Sequence, residues 1–89
     1  MNKFEVYARI QADQYNDARR EGLCETLKPR ANTLGFALDA LWLWCMTQNA
    51  QSDDVRTCVY EFLRRVPRPK GEGGWDGFYS KCLRRVGVK

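Results

Sequence analysis

The segment from Leu34 to Met46 constrains the fold more than any other part of the chain. Its thirteen residues, LGFALDALWLWCM, contain a single charged side chain, that of Asp39. If the segment is a helix, apolar residues occupy both of its faces. One face carries Leu34, Leu38, Leu41, Trp42 and Cys45, and the other carries Phe36, Ala40, Leu43 and Trp44. Such a helix must be covered on several sides, either by the rest of the chain or by a partner.

The same segment is too short for a membrane span, which needs about 20 consecutive apolar residues. Asp39 also lies in its middle, where a charge would be costly in lipid. Residues 1–14 mix charged and apolar side chains, whereas a secretory signal has a continuous apolar run after a basic start. We therefore expect a soluble, cytoplasmic protein without membrane association. A length of 89 residues predicts one domain, residues 1–89, with a single modest core.

Two patterns compete at the N-terminus. Phe4, Val6, Ala8 and Ile10 alternate with polar residues, which is typical of a half-buried strand. A helical stripe also fits, formed by Phe4, Tyr7, Ala8, Ala12, Tyr15 and Ala18. Since no second convincing strand exists to pair with the first, we favour a helix from Lys3 to Arg20, which Gly22 could end.

Pro29 disfavours helix at Lys28 and predicts a turn before the apolar segment. Asn32 or Thr33 is then the expected N-cap of a helix from Leu34 to about Asn49. The connection to the next helix would comprise residues 49–51.

Ser52 is the expected N-cap of the following helix, because Asp53 and Asp54 place negative charge where the helix dipole favours it. Pro67 ends this helix, and residues 67–74 form a loop. The apolar positions follow helical spacing without a miss: Val55, Cys58, Val59, Phe62, Leu63 and Val66.

A final helix repeats that spacing 20 positions later, and Gly87 supplies its C-terminal cap. Its apolar positions are Trp75, Phe78, Tyr79, Cys82, Leu83 and Val86. Both helices end in Leu-Arg-Arg-Val, at residues 63–66 and 83–86. This match favours a helical hairpin but is weak support for an evolutionary repeat. The predicted fold is all-α, a small bundle of three to four helices with a central apolar helix (34–49) and a C-terminal helical hairpin (52–86).

The four cysteines, Cys24, Cys45, Cys58 and Cys82, form no Cys-x-x-Cys pair, and the chain has no histidine. This spacing is a poor zinc signature, so we interpret the cysteines as reduced thiols in or near the core. One or two disulfides, or an atypical zinc site with four cysteine ligands, are the alternatives.

The sequence predicts no enzyme, cofactor or metal site. It contains neither a Gly-x-Ser-x-Gly motif nor a phosphate-binding loop, and a general acid or base would have to be a carboxylate such as Asp39 or Glu61. Asp39 is the stronger candidate because its helix is so apolar. The alternative, which we favour, is that Asp39 reaches the surface or pairs with an arginine.

The net charge of +4 belongs to the C-terminal part of the chain. Residues 1–50 carry six basic and six acidic side chains, whereas residues 51–89 carry nine and five. A basic region with nearby aromatic residues is compatible with nucleic-acid binding, which is our alternative function. The eight-residue connection between the two helices exceeds the three or four residues of a helix-turn-helix turn, and a solvated face also explains the charges.

The leading hypothesis is a small regulatory or inhibitory protein that binds a protein partner. Interfaces favour Trp, Tyr, Phe and Arg, and the chain has eleven aromatic residues. Trp42 and Trp44 project about 160° apart on a helix, so one of them is expected on a poorly covered side. That side could also bind a second copy, giving a homodimer. The candidate partner-binding residues are Trp42, Trp44, Arg64, Arg65, Arg68, Lys70, Trp75, Tyr79, Arg84 and Arg85.

This profile is similar to that of many small phage-encoded effectors that dock on host machinery such as RNA polymerase or CRISPR complexes. The similarity is one of class, and no motif carries it. It implies a protein partner without identifying one.

Overall fold

The computed structural model describes residues 1–20, 30–67 and 74–87. These residues form four helices and no strand, so the predicted all-α bundle is confirmed. The helices are α1 (Lys3–Arg20), α2 (Arg30–Thr47), α3 (Ser52–Leu63) and α4 (Trp75–Arg85). The turn predicted at Pro29, the helix end at Gly22, Cys24 and most of the predicted loop before Gly74 lie outside the described residues.

Helix α1 confirms the helical interpretation of the N-terminus. Its first turn is capped by Asn2, whose Oδ1 accepts a hydrogen bond from the backbone N–H of Glu5 at 3.0 Å. Phe4, Ala8 and Ala12 are buried on one side of the helix. Because two of these residues are alanines, the backbone of α1 can approach its neighbour closely, and α1 packs most extensively on α3.

The predicted start of α2 is wrong. The helix includes Arg30, so Asn32 and Thr33 lie inside it rather than at its N-cap. At the other end the prediction is close, since α2 ends at Thr47 and Asn49 adopts a φ of 54° in the connection to α3. Asparagine tolerates this left-handed conformation better than most residues do.

Helix α3 begins at Ser52, but its N-cap is Gln51, one residue earlier than predicted. The backbone N–H of Gln51 donates to Asp54 Oδ2 at 3.0 Å, which uses one of the two acids predicted to stabilise this end. The helix ends at Leu63, before the predicted limit at Val66. The side chain of Val66 is nevertheless buried, as its place in the apolar pattern predicted.

Helix α4 ends at Arg85, and Gly87 follows with a φ of 79°, which confirms the predicted glycine cap. Helices α3 and α4 pack against each other, as expected of a hairpin. The hydroxyl of Tyr79 on α4 donates to the backbone carbonyl of Arg56 on α3 at 3.2 Å.

Helix α3 packs most extensively on the other three helices. Its side chains Cys58, Val59 and Phe62 are fully buried. Helix α2, which the sequence placed at the centre, packs on α1 and α3 along one side, and Phe36 and Leu43 on its other side are exposed among the residues that the structure describes. The remaining core residues are Phe4, Ala8, Ala12, Leu34, Leu38, Leu41, Cys45, Val55, Leu63, Val66, Phe78, Cys82, Leu83 and Val86.

None of the four described helices is both long enough and apolar enough to cross a membrane.

Candidate functional site

The largest exposed apolar side chains of α2 lie on the side that points away from the core. Phe36 is 71% exposed and Leu43 is 59% exposed, with the small, exposed Ala40 between them and Met46 beside them. Phe36, Ala40 and Leu43 are spaced by four and three residues, so they line one stripe of the helix. We call these four residues the outward face of α2.

This face is outward because the opposite side of α2 already fills the core. Leu34, Leu38, Leu41 and Cys45 are buried there and repeat with helical spacing. A helix has only one core-facing side in a bundle of this size. The second apolar side of α2 therefore remains uncovered within the part of the chain that the structure describes.

Neither tryptophan of α2 belongs to the outward face, which corrects the expectation that Trp42 or Trp44 marks the uncovered side. Trp44 is half-buried against α1, where its ring stacks on that of Tyr7 with a centroid distance of 3.9 Å and an interplanar angle of 2°. The ring of Phe4 makes a T-shaped contact with the same tryptophan at a centroid distance of 5.6 Å. Trp42, on the other flank, is also half-buried and packs against the core.

A groove of about 340 Å³ opens between α2 and the end of α4. Leu43 belongs to both the groove and the outward face, so the two features are continuous. Most of the groove surface is apolar, and its charged members are Asp39 and Arg85. Its lining residues are Asp39, Trp42, Leu43, Arg85, Val86 and Gly87.

Arg85 crosses the surface of α2 at one edge of this groove. Its Nη2 donates to Asp39 Oδ2 at 3.0 Å, which confirms that Asp39 pairs with an arginine. The guanidinium passes directly over Gly35, where a Cβ would lie 2.7 Å from it. Gly35 therefore allows a close approach that any other residue would obstruct. The two partners are each almost half exposed, so this ion pair is a surface contact.

A second group of charged residues lies between α1 and the end of α3. Glu61 is buried, and its carboxylate is within ion-pair distance of three arginines. The distances are 2.6 Å from Arg65 Nη1, 3.5 Å from Arg64 Nη1 and 3.7 Å from Arg9 Nε. We call Arg9, Arg64 and Arg65 the arginine cluster.

Burial of Glu61 opposes its ionisation, but the hydrogen bond from Arg65 and the three positive charges outweigh that effect and lower the pKa of its carboxyl. Arg65 also donates to the Glu61 backbone carbonyl at 3.0 Å. Asn16 of α1 donates to the backbone carbonyl of Arg65 at 2.8 Å. These contacts hold Arg65 against two helices.

The candidate residues from the sequence therefore separate into several places. Arg64 and Arg65 surround Glu61, whereas Arg85 and Trp42 line the groove. Tyr79 is half-buried and contacts Tyr60 edge to face at a centroid distance of 5.7 Å.

Of the four remaining candidates, Arg84 is exposed at the end of α4. The other three are described incompletely or not at all. Trp75 begins α4, but its side chain is not described, and Arg68 and Lys70 lie outside the described residues.

The outward face itself was missed as a site, although the apolar pattern had already placed Phe36, Ala40 and Leu43 together. What the pattern lacked was a reason to choose which of two apolar sides is buried. Arg9 was missed too, because it reaches Glu61 from a distant part of the sequence.

Cys45, Cys58 and Cys82 are buried, which agrees with their interpretation as thiols in or near the core. A hydrogen bond with Cys45, together with burial, raises the pKa of the Cys58 thiol. Among residues 1–20, 30–67 and 74–87, no group of three or more histidine, cysteine or acidic side chains is arranged to hold a metal ion.

The chain matches no known protein family, no curated protein sequence and no solved structure.

Proposed function

We propose that this protein is a small regulator or inhibitor that acts by binding a protein partner through the outward face of α2. The observation that carries the proposal is the exposure of Phe36 and Leu43 on one stripe of a helix. Adjacent exposed apolar residues of this size are typical of interaction surfaces, whereas scattered ones need no explanation. No catalytic signature in the sequence favours an enzyme instead.

The groove beside this face adds residue types that interfaces favour. Trp42 and Arg85 line it next to Leu43, and tryptophan and arginine are enriched among the residues that dominate binding energy. An apolar centre with a charged edge is the usual composition of such a surface. A partner that covers Phe36 and Leu43 would therefore also contact the Asp39–Arg85 ion pair.

Nucleic-acid binding is supported less well. It relies on Arg64, Arg65 and Arg85, and each of these pairs with a carboxylate of the protein. These arginines lie in two separate places, at Glu61 and at Asp39, whereas a nucleic-acid backbone is bound by a continuous row of cations. Because the positive charge of the chain is its main support, we rank nucleic-acid binding second.

The test is affinity capture of the full chain in native lysate, comparing wild type with Phe36→Glu and Leu43→Glu. Ile10→Glu is the matched control, because Ile10 is 48% exposed and lies on α1. Both α2 variants should lose a stoichiometric protein that wild type and Ile10→Glu retain. Circular dichroism should show that all four chains are folded, since the substituted side chains are exposed.

Other results would contradict the proposal. Recovery of nucleic acid without a stoichiometric protein would favour the second function. Equal capture by Phe36→Glu and wild type would remove the outward face from the interface. If light scattering shows a dimer that Leu43→Glu converts to a monomer, the face is covered by a second copy of the chain instead.

A further inference from the structure

The arginine cluster carries more positive charge than the described acidic residues neutralise around it. Three guanidinium groups share one carboxylate, that of Glu61. Among the described acidic residues, no other lies within ion-pair distance of Arg9, Arg64 or Arg65. Two positive charges therefore remain uncompensated in a small volume, and their mutual repulsion opposes the folded arrangement.

Glu61 contacts the three arginines from the buried side of the cluster, and the arginine side chains remain partly exposed to solvent. Arg9, Arg64 and Arg65 are 37%, 51% and 29% exposed, whereas the Glu61 side chain is only 11% exposed. The carboxylate therefore fixes the positions of the guanidinium groups without covering them. An anion approaching from solvent would meet donors that are already close together.

One donor in the cluster lacks an acceptor. Arg9 Nε is buried and makes no hydrogen bond with any described residue. Its distance of 3.7 Å from Glu61 Oε2 gives an ion pair but is too long for a hydrogen bond. A buried donor without an acceptor is unfavourable, so Glu61 satisfies the Arg9 guanidinium incompletely. An oxygen ligand from solvent would reach Arg9 through the exposed part of its side chain, not through the buried Nε.

We propose that the arginine cluster is a binding site for a phosphate monoester. The dianion of such a group would balance the two uncompensated charges, and its three free oxygens suit several guanidinium donors at once. A phosphodiester carries only one charge and belongs to a long backbone, which would need a continuous track of cations. Arg84 and Arg85 are on another helix, and Arg85 already pairs with Asp39.

This site is independent of the outward face of α2, so either can exist without the other. The contacts of the cluster come from α1 and the end of α3 only. A phosphate group on a small molecule and one on a modified protein would present the same chemistry to it.

The test is titration of the full-length protein with inorganic phosphate, followed by the ¹H–¹⁵N signals of the arginine Nε–H groups. Sodium chloride at matched ionic strength is the control titration. Saturable shifts are expected for Arg9 and Arg64 with phosphate but not with chloride. Arg64→Gln should weaken phosphate binding about tenfold, because it removes a charge-assisted contact and one of the two excess charges.

Arg56→Gln is the matched control variant. Arg56 is on α3, outside the arginine cluster, and it pairs with Asp53 at 3.2 Å. Phosphate binding should be unchanged in this variant. A measured rise in melting temperature with phosphate, present in wild type and Arg56→Gln and reduced in Arg64→Gln, would support the site independently of the spectra.

Equal shifts with phosphate and chloride, or binding that survives Arg64→Gln unchanged, would overturn the proposal. A further experiment compares the binding of a short oligonucleotide that carries a 5′-phosphate with that of the same oligonucleotide without it. The comparison distinguishes a monoester site from a site for the nucleic-acid backbone. Tighter binding of the phosphorylated form supports a monoester site, whereas equal binding of both forms would show that the cluster contacts a nucleic-acid backbone instead.

Discussion

Helix α2 is the more apolar of the two helices that meet at Cys45 and Cys58, yet α3 is the more completely buried. Between Leu34 and Met46, α2 has one charged residue and still exposes Phe36 and Leu43. Helix α3 has several charged residues and places its apolar ones on a single side. The arrangement of apolar residues around a helix, rather than their number, therefore decides how much of it is buried.

The acidic residues of the two helices also differ in their burial and in their arginine partners. On α3, Glu61 is buried because three arginines compensate it. On α2, Asp39 remains near the surface with a single arginine partner. Each helix consequently offers a different kind of surface, one charged and the other apolar.

The strongest test of this comparison substitutes one phenylalanine in each helix. Phe62→Ala in α3 should lower the free energy of unfolding by about 3–5 kcal/mol, because it leaves a cavity at a fully buried position. Phe36→Ala in α2 should change it by less than about 0.5 kcal/mol, since that ring is exposed. Urea denaturation followed by circular dichroism measures both. Equal effects would mean that the outward face of α2 is packed within the protein.

The next effect concerns the buried carboxylate. Glu61→Gln should destabilise the protein by about 2 kcal/mol at neutral pH, because the three arginines lose their shared partner and are partly, not fully, desolvated. Arg56→Gln, which disrupts an exposed pair, should cost less than about 1 kcal/mol.

The effect of Glu61 should also depend on pH. Folding lowers its pKa, so the folded state binds its proton less readily than the unfolded state does. Its contribution to stability is therefore fully present above the unfolded pKa of about 4.3 and is lost as pH falls through the folded value. Denaturation at a series of pH values should show the difference between wild type and Glu61→Gln shrinking below that point. A constant difference would contradict the lowered pKa.

A smaller effect is expected where α2 meets α1. Tyr7→Leu should cost about 1 kcal/mol, because it removes the ring stacked on Trp44 while keeping an apolar side chain. Tyr7→Phe keeps the ring and should remain close to wild type. Chemical denaturation with tryptophan fluorescence measures both variants. A large loss in Tyr7→Phe would instead assign the stability to the hydroxyl group.

The smallest effect is at Gly35. Alanine is favoured over glycine within a helix by up to about 1 kcal/mol, but its Cβ would displace the Arg85 guanidinium from Asp39. We expect these effects nearly to cancel in Gly35→Ala. In an Arg85→Ala background the same substitution should be stabilising by about 0.5–1 kcal/mol. A double-mutant cycle measures the coupling, and additive effects would show that Arg85 does not lie over Gly35.

Local sequence patterns predicted much of the fold. The apolar spacing from Val55 to Val66 and from Phe78 to Val86 identified α3 and α4. In an amphipathic helix the buried residues recur at helical spacing, so the sequence itself shows which side is buried. Helix ends were less accurate. Gln51 replaced Ser52 as an N-cap, and α2 includes Asn32 and Thr33, since several neighbouring polar residues can serve the same role.

The contacts of the candidate sites also divide into those that local sequence spacing predicts and those that it does not. The pairing of Glu61 with Arg64 and Arg65 follows from their spacing of three and four residues on a helix. Arg9 joins them only because α1 packs on α3, and its separation of 52 residues from Glu61 leaves no local signal. Likewise, no spacing rule relates Arg85 to Gly35 and Asp39.

By itself the sequence determined that α2 has two apolar sides and that a bundle must cover at least one. Only the tertiary structure decided which side is covered. Leu34, Leu38, Leu41 and Cys45 face the core because α1 and α3 meet α2 there, and the residues of the outward face are left to solvent. Periodicity is set within a helix by its own residues, whereas the choice between two equally apolar sides depends on the neighbours that pack against it.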